Sequence, residues 1–225
     1  MVMGYGLMLW FCGPIYNINN YGIKENLSLP VSAAGFALLL IGIFQKNAVI
    51  IKSFGMAVLG LAYISLGWGL MMDLYDETDF RIHDTMYVLS IKIIPLIIIF
   101  SLWVNDTMAY IMGSLIGKRP LSKISPKKTW EGTIGGIVLC LLVAGVIFYF
   151  WLNGVAISIV LIIICAITAI VGTLGDLLES KLKRSAGVKD SGSIMPGHGG
   201  FLDRFDSLLL ATPAVWVFIY FLANF

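Results

Sequence analysis

The residues TIGGIVLCLLVAGVIFYFWL (133–152), Asn153-Gly154 and VAISIVLIIICAITAIVGTL (155–174) run for forty-two positions without an Asp, Glu, Lys or Arg. A membrane crossing takes about 20 apolar residues, within a range of roughly 17–25. Each half has that length, and Asn-Gly is a turn signal. The stretch therefore reads as two spans joined by a tight turn. Unpaired amides in hydrocarbon are costly, so a span is either a helix or part of a closed barrel. Barrel strands alternate apolar with polar and run only about 9–11 residues. These runs are continuous, so they are helices.

Working outward, residues 53–72, 86–104 and 207–224 have the same character. Residues 29–44 are slightly short, and 1–16 are the weakest, being short and holding Gly13-Pro14. The expected fold class is all-α: a polytopic helical membrane protein of about seven transmembrane helices with two cytosolic functional loops. Composition agrees, with 59% hydrophobic residues, 12% charged and a mean hydropathy of +0.92. Soluble domains carry about 25% charged residues, so a water-soluble fold is excluded. A net charge of +2 is too small to imply nucleic acid as a partner. Cys12, Cys140 and Cys165 sit in apolar stretches without metal-ligand spacing and read as buried thiols. The N-terminus lacks the basic region and cleavage site of a secretory signal, so its apolar residues are expected to stay. No internal repeat is visible, which weighs against a transporter of duplicated halves.

The charges orient the bundle. Twelve of the fifteen Lys and Arg residues fall in three connections, 45–52, 113–132 and 175–206. Two spans separate each from the next, so all three lie on one side. The positive-inside rule makes that side cytosolic. Lys24, Arg81 and the acidic run Asp73, Asp76, Glu77, Asp79 and Asp84 then face outward, with the N-terminus cytosolic and the C-terminus outside. His83 lies on the outer side and has no assigned role.

Two cytosolic segments look chemical. Asp106 sits deep in the apolar run around Trp103–Gly113, where an ionisable residue points to function. Ser125-Pro126 favours a turn, and Lys127-Lys128 follows it just before a helix that begins near Glu131, suited to cradling phosphate. Lipid headgroups attract such lysines as well. The segment 175–206 balances five acids (Asp176, Glu179, Asp190, Asp203, Asp206) against five bases, which suits a site holding both metal and phosphate. Asp203 and Asp206 are three apart and share a helix face, so both could grip one ion. Gly192, Gly197, Gly199 and Gly200 allow close approach to a ligand.

The segment from Ser180 onward closely resembles the signature of the phosphatidate cytidylyltransferases, also called CDP-diglyceride synthases. The matching residues are Ser180, Leu182-Lys183-Arg184, Lys189-Asp190, Gly192, Pro196, His198-Gly199-Gly200 and Asp203-Arg204-Phe205-Asp206. Met195 is a mild departure, standing where a branched aliphatic is expected. Trp103–Gly113 and Ile124–Gly136 also resemble the family, so the likeness covers roughly residues 100–210. It implies transfer of CMP from CTP to phosphatidic acid, giving CDP-diacylglycerol and pyrophosphate, in an integral membrane enzyme of the inner or plasma membrane if bacterial. It implies Mg²⁺ on Asp176, Asp203 and Asp206, with room for a second, monovalent cation. Those three acids and Lys189 are the expected catalytic residues. Asp106, Lys127, Lys128, Lys183, Arg184, His198 and Arg204 are expected to contact the triphosphate or the lipid phosphate. The expected partners are CTP, phosphatidic acid, membrane lipids and a second copy in a homodimer. Residues 1–100 would form an N-terminal set of helices, and 101–225 the catalytic region. Another CTP-using lipid enzyme, such as a CDP-archaeol synthase or a polyprenol-type kinase, would share this plan with a different acceptor. A transporter would place ionisable groups at mid-bilayer, where Lys92 and Asp106 are the clear candidates.

Overall fold

A computed structural model describes residues 17–18, 21–22, 51–76, 93–122, 124–152, 155–192, 200 and 202–224. Two short strands, β1 (Asn17–Ile18) and β2 (Tyr21–Gly22), pair antiparallel. All other regular structure among the described residues is helical: α1 (Ile51–Asp76), α2 (Ile94–Ile116), α3 (Trp130–Trp151), α4 (Val155–Ser185) and α5 (Leu202–Asn224). A two-residue ladder leaves the class all-α. Among the described residues four helices, α2 to α5, are long and apolar enough to cross a membrane. The predicted spans 1–16 and 29–44 lie outside the described residues, as does Cys12. The described chain divides into two compact units, with α1 in one and α2–α5 in the other. The division falls ahead of α2, so residues 94–100 belong with the later helices.

Span boundaries shift from those read in the sequence. The span expected at 86–104 continues to Ile116, and the one expected at 155–174 continues to Ser185. In both, the sequence reading stopped at the first carboxylate, Asp106 or Asp176. A helix crosses such a position when the side chain faces the bundle rather than lipid. Asp176, Glu179 and Lys183, at i, i+3 and i+7, share one face of α4. Pro95 in the first turn of α2 marks its start, where a missing amide costs nothing. The helix at 53–72 is Ile51–Asp76, and the last begins at Leu202 rather than 207.

Within the second unit α2 packs on α3, α4 on α5, and α4 also on α3 and α2. Small residues set the closest approach. A Cβ added at Gly132 would lie 2.8 Å from the Ala109 carbonyl oxygen and the Gly113 Cα, and one at Gly136 would lie 2.7 Å from Ala109 Cβ. This is the small-xxx-small contact by which membrane helices meet without a hydrophobic driving force. Ser101, Cys140 and Cys165 cluster where α2, α3 and α4 meet. Cys165 Sγ lies 3.2 Å from Ser101 Oγ, and Cys140 Sγ donates to the Ser101 carbonyl at 3.5 Å. Both thiols are buried and free, as expected. The outer faces stay apolar, with Leu96, Leu142, Val146 and Phe150 all exposed. In water such a surface would drive aggregation; in a bilayer it is the lipid contact.

Candidate metal and phosphate site

The polar residues gather at one end of the bundle, where α2 and α4 finish and α3 and α5 begin. The 117–129 connection is a small hairpin. Leu121 N donates to Lys128 O at 2.7 Å, Trp130 N to Arg119 O at 3.0 Å, and Lys128 N to Ser125 O at 3.1 Å. The last of these closes the turn that Ser125-Pro126 predicts. Thr129 caps α3 by accepting from Gly132 N at 3.1 Å. Glu131 in its first turn reaches back to accept from Lys118 N and Arg119 N, each at 3.2 Å. Both acceptors fill the need for partners at loop amides and helix starts. The hairpin thereby holds Lys127 and Lys128 over a cleft of about 420 Å³, whose walls include Asn105, Asp106, Tyr110, Thr129, Thr173 and Asp176. Lys128 Nζ pairs with Asp176 Oδ2, tying hairpin to α4.

Behind Asp176, carboxylate oxygens of Asp176, Glu179 and Asp206 lie within 4.8 Å of one another. Gly175 makes this possible, since a Cβ there would stand 2.8 Å from the Asp206 carbonyl oxygen and hold α4 and α5 apart. Glu179 is 1% exposed, and neither of its carboxylate oxygens has an aligned hydrogen-bond donor among the described residues. Lys183 Nζ stands 2.6 Å from Glu179 Oε2 as an ion pair. Three carboxylates this close repel one another, and Lys128 and Lys183 offset only part of that charge. A cation between the carboxylates would offset the rest, so the donor set fits a hard, oxygen-loving metal ion.

Asp203, the third metal ligand expected from sequence, is not in this cluster. Its Oδ1 takes Lys183 Nζ at 2.6 Å. Its Oδ2 accepts from Ser191 N at 2.9 Å, Ser191 Oγ at 2.8 Å and Gly200 N at 2.7 Å. It accepts from both ends of the glycine-rich loop, and Glu179 completes the carboxylate cluster with Asp176 and Asp206. The spacing Asp176-x-x-Glu179 was the signal for this, being the same i, i+3 pattern that singled out Asp203 and Asp206. Lys183 bridges the clamp and the cluster. Arg184 Nη1 donates to the Val188 carbonyl at 3.4 Å. Lys189 and Arg204 are exposed, and neither lines the cleft. His198 lies outside the described residues. Asn105 and Thr173, which sequence reading passed over, form part of the cleft wall.

The profile of the cytidylyltransferase family matches residues 2–222. A phosphatidate cytidylyltransferase of Staphylococcus saprophyticus is 38% identical over 182 residues, covering 80% of this chain and 65% of that protein. One of Haemophilus influenzae is 34% identical over 97% of this chain and 78% of that protein. The chain thus spans just under two thirds of the staphylococcal relative. A match over nearly its whole length, through both the lysine hairpin and the carboxylate cluster, means that the chain belongs to the cytidylyltransferase family.

Proposed function

We propose that this chain is a membrane-embedded phosphatidate cytidylyltransferase whose polar end faces the cytosol. The observation that carries the reading is the joining of two charge types at one bundle end. A carboxylate triad, with Glu179 buried and Asp176 and Asp206 half-buried, adjoins a cleft capped by Lys127 and Lys128. The reaction asks for this combination. A phosphatidate oxygen attacks the α-phosphorus of CTP, a new P–O bond forms, and the α–β bridging oxygen leaves with the electron pair as pyrophosphate. Both reactants are anionic, so their approach is repulsive until positive charge stands between them.

Lys127 and Lys128 neutralise phosphate oxygens at the mouth of the cleft. Asp176, Glu179 and Asp206 would hold Mg²⁺, which when bound neutralises and orients the phosphates. Lys183 keeps Glu179 and Asp203 in register, and Asp203 fixes the loop ends. The nucleophile is a phosphate monoester with a second pKa of about 6. It is already largely dianionic at neutral pH, so no side chain is needed to remove a proton.

The decisive assay is release of pyrophosphate from CTP by the purified protein in detergent micelles. Release is expected with phosphatidate and Mg²⁺ together and is expected to be lost when either is omitted. Pyrophosphate release with archaetidic acid in place of phosphatidate, or release of CDP rather than pyrophosphate with a polyprenol, would move the chain to a different acceptor class. Single cysteines at Ser122 and at Ala186, in an otherwise cysteine-free chain, test sidedness. Both are expected to resist an impermeant thiol reagent in intact cells and to react after permeabilisation.

A further inference from the structure

Asn105 is 2% exposed at the wall of the cleft, and its Oδ1 has no hydrogen-bond partner among the described residues. Its orientation is fixed by a neighbour. Thr173 Oγ1 donates its single proton to the Ala169 carbonyl at 2.9 Å. That oxygen can then only accept, which it does from Asn105 Nδ2 at 3.4 Å. The amide therefore presents its NH₂ to Thr173 and holds its carbonyl oxygen as an unmet acceptor. The next residue, Asp106, lines the same cleft and is acceptor-only when ionised. Lys127, Lys128 and Asp176 belong to the phosphate and metal side of that cleft. Its chemistry is thus divided between a cationic mouth and a pair of acceptors. A buried acceptor left unpaired is destabilising, and an occupant that brings N–H or O–H groups to this part would satisfy it.

On the cytidylyltransferase reading above, on which this inference rests, few groups qualify. Phosphates, pyrophosphate and acyl esters only accept. The donors are the ribose hydroxyls and the exocyclic amine of cytosine. An amine carries two N–H groups, and both acceptors line the one cleft. Uracil presents a carbonyl at that position, which two acceptors repel. We infer that Asn105 and Asp106 are specificity-determining residues that read the cytosine 4-amino group, with Thr173 as the positioning residue that holds the Asn105 amide in its reading orientation.

The test compares kcat/KM for CTP, UTP and 2′-deoxy-CTP, with equilibrium binding of labelled CTP and UTP in lipid-free detergent. Asp106→Asn and Asn105→Leu are expected to narrow the preference for CTP over UTP by roughly 5- to 150-fold, the discrimination of a good base contact. The ratio of CTP to 2′-deoxy-CTP should hold. Thr173→Val touches neither acceptor, and by releasing the amide it should narrow the preference less. It serves where Asn105→Leu fails to fold. Equal loss for CTP and UTP in the folded variants would overturn the inference, as would a change confined to the deoxy ratio. A wild-type chain that binds CTP over UTP without transferring a cytidylyl group would sink the proposed function and keep this inference. Wild-type turnover with discrimination untouched in the variants would do the reverse.

Discussion

Two carboxylate pairs with the same spacing meet at the polar end of the bundle, and they behave differently. Asp176 and Glu179 on α4 both enter the triad. Asp203 and Asp206 on α5 divide, Asp206 to the triad and Asp203 to the loop. Spacing of i, i+3 gives each pair a shared face, so spacing does not separate them. Depth in the helix does. Asp203 is the second residue of α5, beside loop amides and in the first turn, where donors lack partners. Ser191 and Gly200 fill its Oδ2 before an ion could. One turn on, Asp206 lies beyond their reach and opposite Gly175, where α4 comes close. The α4 pair lies within a continuous helix whose amides are already paired, so its carboxylates are left for other partners.

Neutralising each acid in turn should widen this contrast. Asp176→Asn and Asp206→Asn remove charge from the triad and are expected to cut turnover by about 100- to 1000-fold, the scale of losing a main electrostatic contact. Asp203→Asn keeps one acceptor oxygen for the loop amides and should cost about tenfold, in the range of groups that orient rather than ligate. Its signature lies elsewhere, as faster proteolysis between Ser185 and Leu202 with an unchanged Mg²⁺ requirement. Should Asp203→Asn shift the Mg²⁺ concentration for half-maximal rate as far as Asp206→Asn does, depth would no longer explain the division.

Glu179→Gln tests the α4 pair from the other direction. Three like charges within 4.8 Å destabilise the metal-free protein, and Gln removes one of them. The expected result is a thermal midpoint without divalent cation at or above that of the parent. A smaller rise when Mg²⁺ is added should accompany it, because a weaker ligand stabilises less. Turnover should fall by at least about 10- to 100-fold. A midpoint several degrees lower, with the full Mg²⁺ increment retained, would make Glu179 a partner of Lys183 alone.

The sequence made some of this end of the molecule legible and hid the rest, for identifiable reasons. The lysine hairpin was readable because Ser125-Pro126 and Glu131 are local signals, each acting within a few residues. The α3 and α4 spans were readable because nothing charged interrupts 133–174. The end of α4 was not, since Asp176 looks like the edge of the membrane until α5 is known to cover it. Glu179 was missed for the same reason. Its burial depends on the packing of α5 against α4, which Gly175 permits and no local pattern announces. Asn105 looked like an ordinary neighbour of Asp106, because its unmet oxygen exists only relative to Thr173, sixty-eight positions away.

The smallest expected effect comes from the junction between α4 and the loop that Asp203 clamps. Gly187 has φ +71°, and a Cβ placed there meets nothing within 4 Å. It ends α4 in the left-handed conformation, with Gly187 N donating to Arg184 O at 3.1 Å and Val188 N to Lys183 O at 3.0 Å. Alanine fits the space but not the backbone, a cost of about 1–2 kcal/mol. Because no side chain is displaced, Gly187→Ala isolates loop geometry from triad chemistry. A small drop in thermal midpoint is expected, partly restored by Gly187→Asn because asparagine tolerates φ > 0. The Mg²⁺ dependence of activity should match the parent. Lys183 links the loop directly to the triad, since its carbonyl holds Val188 while its ammonium touches Glu179 and Asp203. A shifted Mg²⁺ dependence in Gly187→Ala, with Lys183→Met abolishing the shift, would mean that loop and triad move together through this lysine.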